Sequence, residues 1–381
     1  MRDPQFGKVP NPSKRALREM SRNGGLRGRN PMGLCDFPDA RREKAEAETM
    51  SAALDARFFD AAPPGAHGAG SCVDVSVILP ADFRLQSGEK LSKPELRLRL
   101  FGPDDGRASV VSGGISSGRE VADGAGAKGW WRDVVFPGGP IDTAATRVIG
   151  FDFLPNAGET ARTITTVDQA RALAFALDAA GVSMLSCVSG ASYGGMVALA
   201  FAEQFPERLE KLCVISAADR PHAAATALRG IQRRIVEFGL KAGDAQAGLS
   251  LARQLAMTTY RTPEEFEARF PHRPGVAAGD PYAVCDYLIA RGDAYQMSPE
   301  RYVTLSDSID RHSVDPRRIR APALFVAATS DRLVPAADIM RLARAAPNAR
   351  YAEFSSLYGH DAFLKEPVAV AALLRSFIEK D

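Results

Sequence analysis

The chain has 381 residues, of which 48 are basic and 46 are acidic, and 45% are hydrophobic. The near-neutral charge gives no reason to expect nucleic-acid binding, and the length suits one large α/β domain with an insertion. No apolar run approaches the ~18 residues that span a bilayer, and the first residues lack a signal-peptide core, so we expect neither membrane insertion nor secretion.

The cysteines indicate a reducing compartment. They have no C-x-x-C spacing, and two of them lie in apolar runs where a strand would bury them as thiols. We therefore expect a cytoplasmic protein. The five are Cys35, Cys72, Cys187, Cys213 and Cys285.

Residues 1–65 are rich in Pro, Gly, Arg and Lys and poor in apolar side chains. Such a segment cannot bury enough surface to offset its chain entropy, so we predict a disordered N-terminal extension. Met50 is an alternative start within it.

Strand patterns follow. The run at 96–101, LRLRLF, alternates apolar and basic residues and predicts a half-exposed edge strand. Other short apolar runs end in Gly, Ser or Asp and predict strands covered on both faces. They lie at 108–114, 146–154, 184–190, 211–218 and 322–331.

Helical patterns alternate with these runs, at 166–182 with Thr166 as the expected cap, and at 195–209, 335–347 and 367–380. The alternation predicts a mostly parallel central sheet flanked by helices. The interval 219–315 is helix-rich and strand-poor, which predicts a helical lid insertion. The core would then comprise 66–218 and 316–381.

Ser192 lies in the pattern G-x-S-x-G, at 190–194, directly after an apolar strand and before a helix. In that setting the pattern predicts a sharp turn that presents a nucleophilic serine above the sheet. The amide of Tyr193 would help to stabilise an oxyanion. Outside such a setting the same residues would form only a glycine-rich turn.

A serine hydroxyl needs a base, and the chain offers five histidines. His67 lies in the Pro/Gly-rich approach, and His222, His272 and His312 lie in the insertion. Only His360 follows the last predicted strand, so it is the expected base.

The apolar run that starts at 322 ends at Thr329, and Asp331 begins the next loop; it is the expected acid, which would orient His360. The order serine, acid, histidine is that of the α/β hydrolases. The Gly-Gly turn after the strand at 108–114 makes the amide of Ile115 the expected second oxyanion donor.

Several segments together resemble the homoserine O-acyltransferases of the α/β-hydrolase fold. They are GISSGR, GWWRDVVFPGGPIDT, GASYGGMVALAFAEQFPERL, IQRRIV, ARQLAMTTYRTPEEFEARF, SDRLVP and YGHDAFL. The resemblance runs from about residue 95 to the C-terminus. The insertion segment and the last segment together distinguish it from general esterases.

The resemblance implies acyl transfer from an acyl-CoA, acetyl-CoA or succinyl-CoA, to the hydroxyl of L-homoserine in methionine biosynthesis. It implies that Arg233 binds the acceptor carboxylate and that Asp361 binds its amine. It also implies a homodimer joined through the lid helices. Acyl-CoA would be a co-substrate, and no cofactor is expected.

Three alternatives stay open. L-serine differs from homoserine by one methylene, so it is an alternative acceptor. A serine hydrolase would use the same triad and admit water. A non-catalytic binding protein would not need Ser192, Asp331 and His360 together.

The residues around the acyl group depart from the usual family pattern at Tyr193 and in the loop GISSGREV. Arg119 in that loop is therefore a hypothetical partner for a succinyl carboxylate. No metal-binding motif and no phosphate-binding loop occurs in the sequence.

Overall fold

The computed structural model describes residues 72–104, 107–124, 126–272 and 282–379. The predicted extension at 1–65 lies outside these residues. The strands are β1 (Cys72–Ile78), β2 (Glu95–Phe101), β3 (Arg107–Ser112), β4 (Val135–Phe136), β5 (Ile141–Asp142), β6 (Thr146–Phe151), β7 (Leu185–Ala191), β8 (Leu212–Ile215), β9 (Ala323–Ala328) and β10 (Ala349–Phe354).

Eight of these strands form one sheet in the order β1-β2-β6-β3-β7-β8-β9-β10, and β4 pairs only with β5. From β6 to β10 all neighbours are parallel, while β1 and β2 are antiparallel additions. Parallel strands place their carboxyl ends at one edge of the sheet, which is where α/β proteins bind ligands.

The helices are α1 (Thr166–Ala179), α2 (Tyr193–Gln204), α3 (Ala223–Ala242), α4 (Ala245–Tyr260), α5 (Pro263–Arg269), α6 (Ala283–Asp293), α7 (Pro299–Asp310), α8 (Ala336–Ala345), α9 (Ala362–Lys365) and α10 (Pro367–Ile378). Within the described residues, no helix is both long and apolar enough to cross a membrane.

The central strands have the burial that their apolar runs predict. Every residue of β8 and β9 is buried, because helices cover both faces of the sheet. The α/β architecture with a mostly parallel sheet flanked by helices is thus confirmed.

The prediction that 96–101 forms an edge strand is wrong. β1 pairs with β2 along its whole length and itself forms the edge of the sheet. Arg99, which suggested exposure, is buried because its guanidinium donates two hydrogen bonds of 2.7 Å to the Asp74 carboxylate on β1. The ion pair allows a charged side chain to be buried that the alternating sequence pattern predicts to be exposed to solvent.

The cap of α1 is Thr165 rather than the predicted Thr166. The Thr165 hydroxyl accepts from the Asp168 amide, and the Asp168 carboxylate accepts from the Thr165 amide, which completes a capping box. Thr166 instead turns into the core, where its hydroxyl lies 2.8 Å from Nδ1 of His312.

The predicted insertion interval, 219–315, contains the five helices α3 to α7 and, among its described residues, no strand. The α3 and α4 helices pack against each other closely enough that glycines face each other. A Cβ on Gly239 would lie 2.8 Å from the Cα of Gly248. This helical layer lies between β8 and β9 in the chain and forms one wall of the site described next.

Candidate active site

Ser192 lies at a strained turn between β7 and α2. Its backbone has φ 54° and ψ −123°, in a region that side chains disfavour. The flanking glycines make the turn possible, since a Cβ on Gly190 would overlap the Gly194 carbonyl and a Cβ on Gly194 would overlap the backbone of Ser112. The strained turn presents the serine hydroxyl at the carboxyl edge of the sheet.

The structure brings the three predicted triad residues together. Ser192 Oγ lies 2.8 Å from Nε2 of His360, and His360 Nδ1 lies 2.7 Å from Oδ2 of Asp331. The other Asp331 oxygen accepts from the amides of Leu333 and Val334, at 2.9 and 3.0 Å. These bonds fix the carboxylate, so it can orient the imidazole.

The electrostatics around His360 suit a general base. Burial alone lowers the pKa of the imidazole, but the buried Asp331 carboxylate more than offsets this and the pKa is raised above its ordinary value. Nδ1 donates to the carboxylate, which leaves Nε2 as the acceptor for the serine proton. The arrangement can therefore activate Ser192 as a nucleophile.

Both predicted oxyanion donors line the same pocket as Ser192. Tyr193 is the first residue of α2, so its amide has no carbonyl of a preceding helical turn to bind. Among the described residues, the Ile115 amide likewise donates no backbone hydrogen bond, whereas the Ser117 amide nearby donates to Gly114. The two amides are therefore available to a substrate oxygen.

Two adjacent tryptophans hold the loops around the site. Trp130 Nε1 donates to the carbonyl of Gly118 at 3.0 Å, which anchors the loop that contains Ile115. Trp131 Nε1 donates to the carbonyl of Phe363 at 3.1 Å, which anchors the residues after His360. Sequence reasoning gave these residues no role, although the pair GWW belongs to the family resemblance.

The comparisons with known proteins agree with this geometry. A family model described as the alpha/beta hydrolase fold matches residues 125–367. A homoserine O-succinyltransferase of Xanthomonas campestris pv. campestris is 42% identical over 288 residues, which cover 74% of this chain and 78% of that protein. The chain belongs to the homoserine O-acyltransferase family of α/β hydrolases.

Other relatives extend the family. A homoserine O-acetyltransferase of Thermus thermophilus is 36% identical over 286 residues, which cover 66% of this chain and 73% of that protein. The crystal structure of homoserine O-acetyltransferase from Bacillus anthracis has a TM-score of 0.74 at 16% identity and covers 81% of this chain and 98% of its own. Esterase E22 has a TM-score of 0.75 at 18% identity, with coverages of 81% and 100%. These two structures share the fold.

The residue that the family resemblance assigns to the acceptor carboxylate, Arg233, is engaged within the protein. Its Nη1 lies 2.6 Å from Oδ2 of Asp310 and 2.9 Å from the carbonyl of Ser306. Arg229, one turn earlier on α3, shares the same Asp310 at 2.6 Å and lines the pocket, whereas Arg233 does not. The two guanidiniums and one carboxylate give this wall a net positive charge.

Asp361, assigned by the resemblance to the acceptor amine, lines the pocket beside His360. Its Oδ2 accepts from Nε of Arg261 at 2.9 Å, and Arg261 also pairs with Glu265. Lys365 also interacts electrostatically with Asp361 and Glu265, so two carboxylates and two cations lie on this side of the pocket.

The turn after α4 is joined to the histidine loop by two further contacts. Thr262 Oγ1 donates to the carbonyl of Leu357 at 2.6 Å. Gly359 has φ 58° and packs so closely that a Cβ there would lie 2.7 Å from the carbonyl oxygen of Tyr260. With the Arg261–Asp361 pair, residues 260–262 contact the histidine loop on both sides of His360.

Arg119 does not reach the pocket, so the hypothesis that it binds a succinyl carboxylate is wrong. Its Nη1 lies 2.6 Å from Oδ2 of Asp152, and its Nε lies 3.2 Å from Asp74. Its guanidinium is engaged by these carboxylates and by Glu120, and Arg119 is not among the residues that line the pocket.

Sequence reasoning missed several polar side chains that line the pocket, among them Ser216 and Arg253. The Ser216 hydroxyl is buried without a hydrogen-bond partner among the described residues, and its backbone has φ 51°. Its position directly after β8, at the carboxyl edge of the sheet, is the signal that could have found it. Arg253 lies on α4 with its guanidinium carbon 4.7 Å from the ring centre of Tyr295 and 5.3 Å from that of Tyr260. The described residues contain no cluster that could hold a metal ion.

Proposed function

We propose that this chain transfers an acyl group from acyl-CoA to the hydroxyl of L-homoserine through a seryl acyl-enzyme, in methionine biosynthesis. The observation that carries the proposal is the Ser192–His360–Asp331 chain of hydrogen bonds, 2.8 and 2.7 Å long, in a pocket with opposite charges on its walls. The named relatives, which are homoserine O-succinyl- and O-acetyltransferases, support the same reaction.

In the first step Ser192 Oγ attacks the thioester carbonyl carbon while His360 Nε2 takes its proton. The carbonyl oxygen becomes negative and accepts from the amides of Tyr193 and Ile115. The carbon–sulfur bond then breaks, the thiol of coenzyme A leaves with the proton from His360, and the acyl group stays on Ser192. Acyl-CoA is thus a co-substrate, and the step needs no cofactor.

In the second step the homoserine hydroxyl attacks the acyl-enzyme, and His360 Nε2 now takes the proton of that hydroxyl. A second oxyanion forms at the same two amides. When the ester bond to Ser192 breaks, His360 returns the proton to the serine oxygen. The product is the O-acyl amino acid, and the protein regains its starting state.

The charges of the pocket walls fit a zwitterionic acceptor. The amine faces the carboxylate of Asp361, which lines the pocket beside His360. The carboxylate faces the Arg229/Arg233/Asp310 cluster, which carries one positive charge in excess. Arg233 then contributes its positive charge to this cluster, while Arg229, which lines the pocket, is nearer to the ligand.

Purified protein, supplied with succinyl-CoA or acetyl-CoA and with homoserine or serine, tests the proposal. Mass spectrometry identifies the ester, and thiol release measures the rate. We expect thiol release that depends on homoserine, together with the matching O-acylhomoserine. Thiol release without any acceptor would indicate a hydrolase, an O-acylserine product would indicate a serine acyltransferase, and no thiol release would indicate a binding protein.

We also propose that the chain forms a homodimer through α3 and α4. Ile231 and Phe238 on α3 are exposed and lie seven residues apart on one helical face, and Leu251 on the adjacent α4 is exposed as well. Exposed apolar side chains on neighbouring helices are typical of an interface. Light scattering should give the mass of two chains, and Phe238→Glu should give one.

The cytoplasm is the proposed location, because the described cysteines are free thiols and two of them are buried in strands.

A further inference from the structure

The side chain of Tyr193 connects the turn at Ser192 to two other parts of the molecule. Its phenol oxygen lies 2.7 Å from Oγ of Ser308 on α7, in the helical insertion. The same oxygen accepts a hydrogen bond of 3.3 Å from Nε2 of Gln169 on α1. All three of these side chains are buried. One phenol thus joins the core and the insertion at the residue whose amide is a proposed oxyanion donor.

The direction of these hydrogen bonds follows from the Gln169 amide. Its oxygen accepts from the Leu154 amide at 2.9 Å and its nitrogen donates to the Leu154 carbonyl at 2.6 Å, so its orientation is fixed. The nitrogen can only donate to Tyr193, which leaves the phenol hydrogen for Ser308. Burial raises the pKa of Tyr193 to about 12, so the phenol keeps that hydrogen at neutral pH.

The ring of Tyr193 is fixed by packing as well. It contacts Phe153 edge to face, with the ring centres 4.8 Å apart. Every other residue from Gly190 to Gly195 is Gly, Ala or Ser. Tyr193 therefore provides the only long side chain that can anchor this turn.

The turn needs an anchor because Ser192 is strained. Its φ of 54° and ψ of −123° persist only where the surrounding contacts enforce them. The Ser192 carbonyl accepts from the Met196 amide at 3.1 Å, within the first turn of α2. The Tyr193 amide is the first of that helix and has no helical carbonyl to bind, so its direction depends on α2 keeping its place.

The α7 helix also connects the phenol to the wall that would face the acceptor. Asp310, which engages Arg229 and Arg233, lies two residues after Ser308 on this helix. Effects on the oxyanion donor and on acceptor binding are nevertheless distinguishable, because the first changes kcat and the second changes KM.

We propose that the Tyr193 phenol, through its bonds to Ser308 and Gln169, positions the Tyr193 amide for the substrate oxygen. Tyr193 is then a positioning residue through its side chain as well as an oxyanion donor through its backbone. The inference rests on the proposed oxyanion role of that amide, and it gives α7 a part in catalysis.

Tyr193→Phe and Ser308→Ala remove the bond between the two hydroxyls from either side. Loss of an oxyanion donor lowers kcat by about 10²–10³-fold, and loss of its alignment should cost less. We therefore expect kcat for thiol release from acyl-CoA to fall by about tenfold in each variant. Both half-reactions form their oxyanion at the same amides, so KM for acyl-CoA and for homoserine should stay within about twofold. The double variant should be no worse than Tyr193→Phe, since the bond is already absent.

Two variants elsewhere provide matched controls. Tyr351→Phe removes a phenol hydroxyl that bonds to Glu353 on the edge strand β10. Ser250→Ala removes a buried hydroxyl of the insertion that bonds to Asp293. Both should keep kcat within about twofold, even where the melting temperature falls. A tenfold fall in Ser250→Ala would contradict a specific role of the Tyr193 phenol.

A second measurement separates this inference from the proposed function. A fluorophosphonate needs neither acyl-CoA nor homoserine: Ser192 Oγ bonds to phosphorus, fluoride leaves, His360 takes the serine proton, and the phosphoryl oxygen occupies the oxyanion site. We expect labelling of Tyr193→Phe and Ser308→Ala to be slower by about tenfold. Absence of any homoserine ester from the wild-type protein would overturn the proposed function, while slower labelling of the variants would still support the inference.

Two results would overturn the inference. Unchanged kcat and labelling rates in both variants, with a lower melting temperature, would show that the phenol only stabilises the fold. A raised KM for homoserine with unchanged kcat would show that Ser308 acts through the Arg229/Arg233/Asp310 cluster instead.

Discussion

Two buried histidines of this chain have opposite chemistry. His360 Nδ1 lies 2.7 Å from the Asp331 carboxylate, in the candidate active site. His312, at the end of the insertion, has Nδ1 2.8 Å from the Thr166 hydroxyl and Nε2 3.1 Å from the Ala218 carbonyl. A carbonyl can only accept, so Nε2 of His312 carries the proton and Nδ1 accepts from Thr166.

The hydrogen-bond partners of each imidazole decide whether burial lowers its pKa. Burial lowers the pKa of His312 to about 3, and its neutral partners do not reverse the effect. Burial also lowers the pKa of His360, but the Asp331 carboxylate overcomes this and raises the pKa. One imidazole is therefore fixed in the neutral state as a structural element, while the other has a raised pKa, which suits the proposed role of a base.

Removing the base should have the largest effect. We expect His360→Ala to lower kcat/KM for acyl transfer by about 10⁶-fold, because the nucleophile loses the group that takes its proton. The control is His312→Gln, which should keep kcat/KM within a few-fold. A similar loss of activity in both variants would contradict the division of roles.

Replacing the carboxylate should make the active-site histidine resemble the structural one. We expect Asp331→Asn to lower kcat/KM by about 10⁴-fold, because the amide favours the wrong imidazole tautomer.

Wild-type activity should rise with pH through the raised pKa of His360, since only the neutral imidazole accepts a proton. In the variant the midpoint of that rise should move to lower pH. A pH–rate profile of both proteins measures it, and an unmoved midpoint would show that Asp331 does not set the pKa.

The structural histidine should make stability depend on acid. Its folded pKa, about 3, lies below the ordinary value of 6.5, so the unfolded chain binds the proton first. The contribution is present above pH 6.5 and is lost as pH falls. Between pH 7 and pH 5 we expect a loss of about 2 kcal/mol of unfolding free energy.

The matched variant for this effect is His312→Gln, whose amide still offers one donor and one acceptor but does not titrate. Urea unfolding at pH 7 and pH 5 should show a smaller loss in this variant by about 2 kcal/mol. An equal loss of unfolding free energy in both proteins would show that groups other than His312 cause the acid sensitivity.

The smallest effect concerns the hydroxyl that donates to His312. We expect Thr166→Val to lower the unfolding free energy by about 1 kcal/mol, since Nδ1 would lose its only donor in the described structure. Thr258→Val is the control, because that exposed hydroxyl bonds only to a carbonyl of its own helix. Equal values for the two variants would show that the buried bond contributes nothing.

The sequence predicted the parts of the site that depend on local order. The strand, the glycines and the helix around Ser192 are adjacent in the chain, and Asp331 and His360 each follow a strand whose carboxyl end reaches the same edge. The topology of a parallel sheet then brings the three together. Their catalytic roles stay predictions until the variants are measured.

The charged residues could not be predicted in the same way, because their state depends on distant partners. Arg99 is hidden by Asp74, 25 residues away, and Arg119 by Asp152, 33 residues away. Arg233 is engaged by Asp310, which lies 77 residues beyond it. Helical periodicity places these side chains on a face but does not reveal the acid that meets them.

The contacts between residues 260–262 and the histidine loop have a mechanical consequence. If the helical layer moved away from the sheet at residues 260–262, Gly359 and Asp361 would move with it. The imidazole of His360 would then lose its alignment with Ser192. We therefore expect residues 260–262 to keep their position while substrates bind and react. Tyr260 also lines the pocket, so a substitution that reshapes the pocket at this point would disturb the alignment of His360 as well.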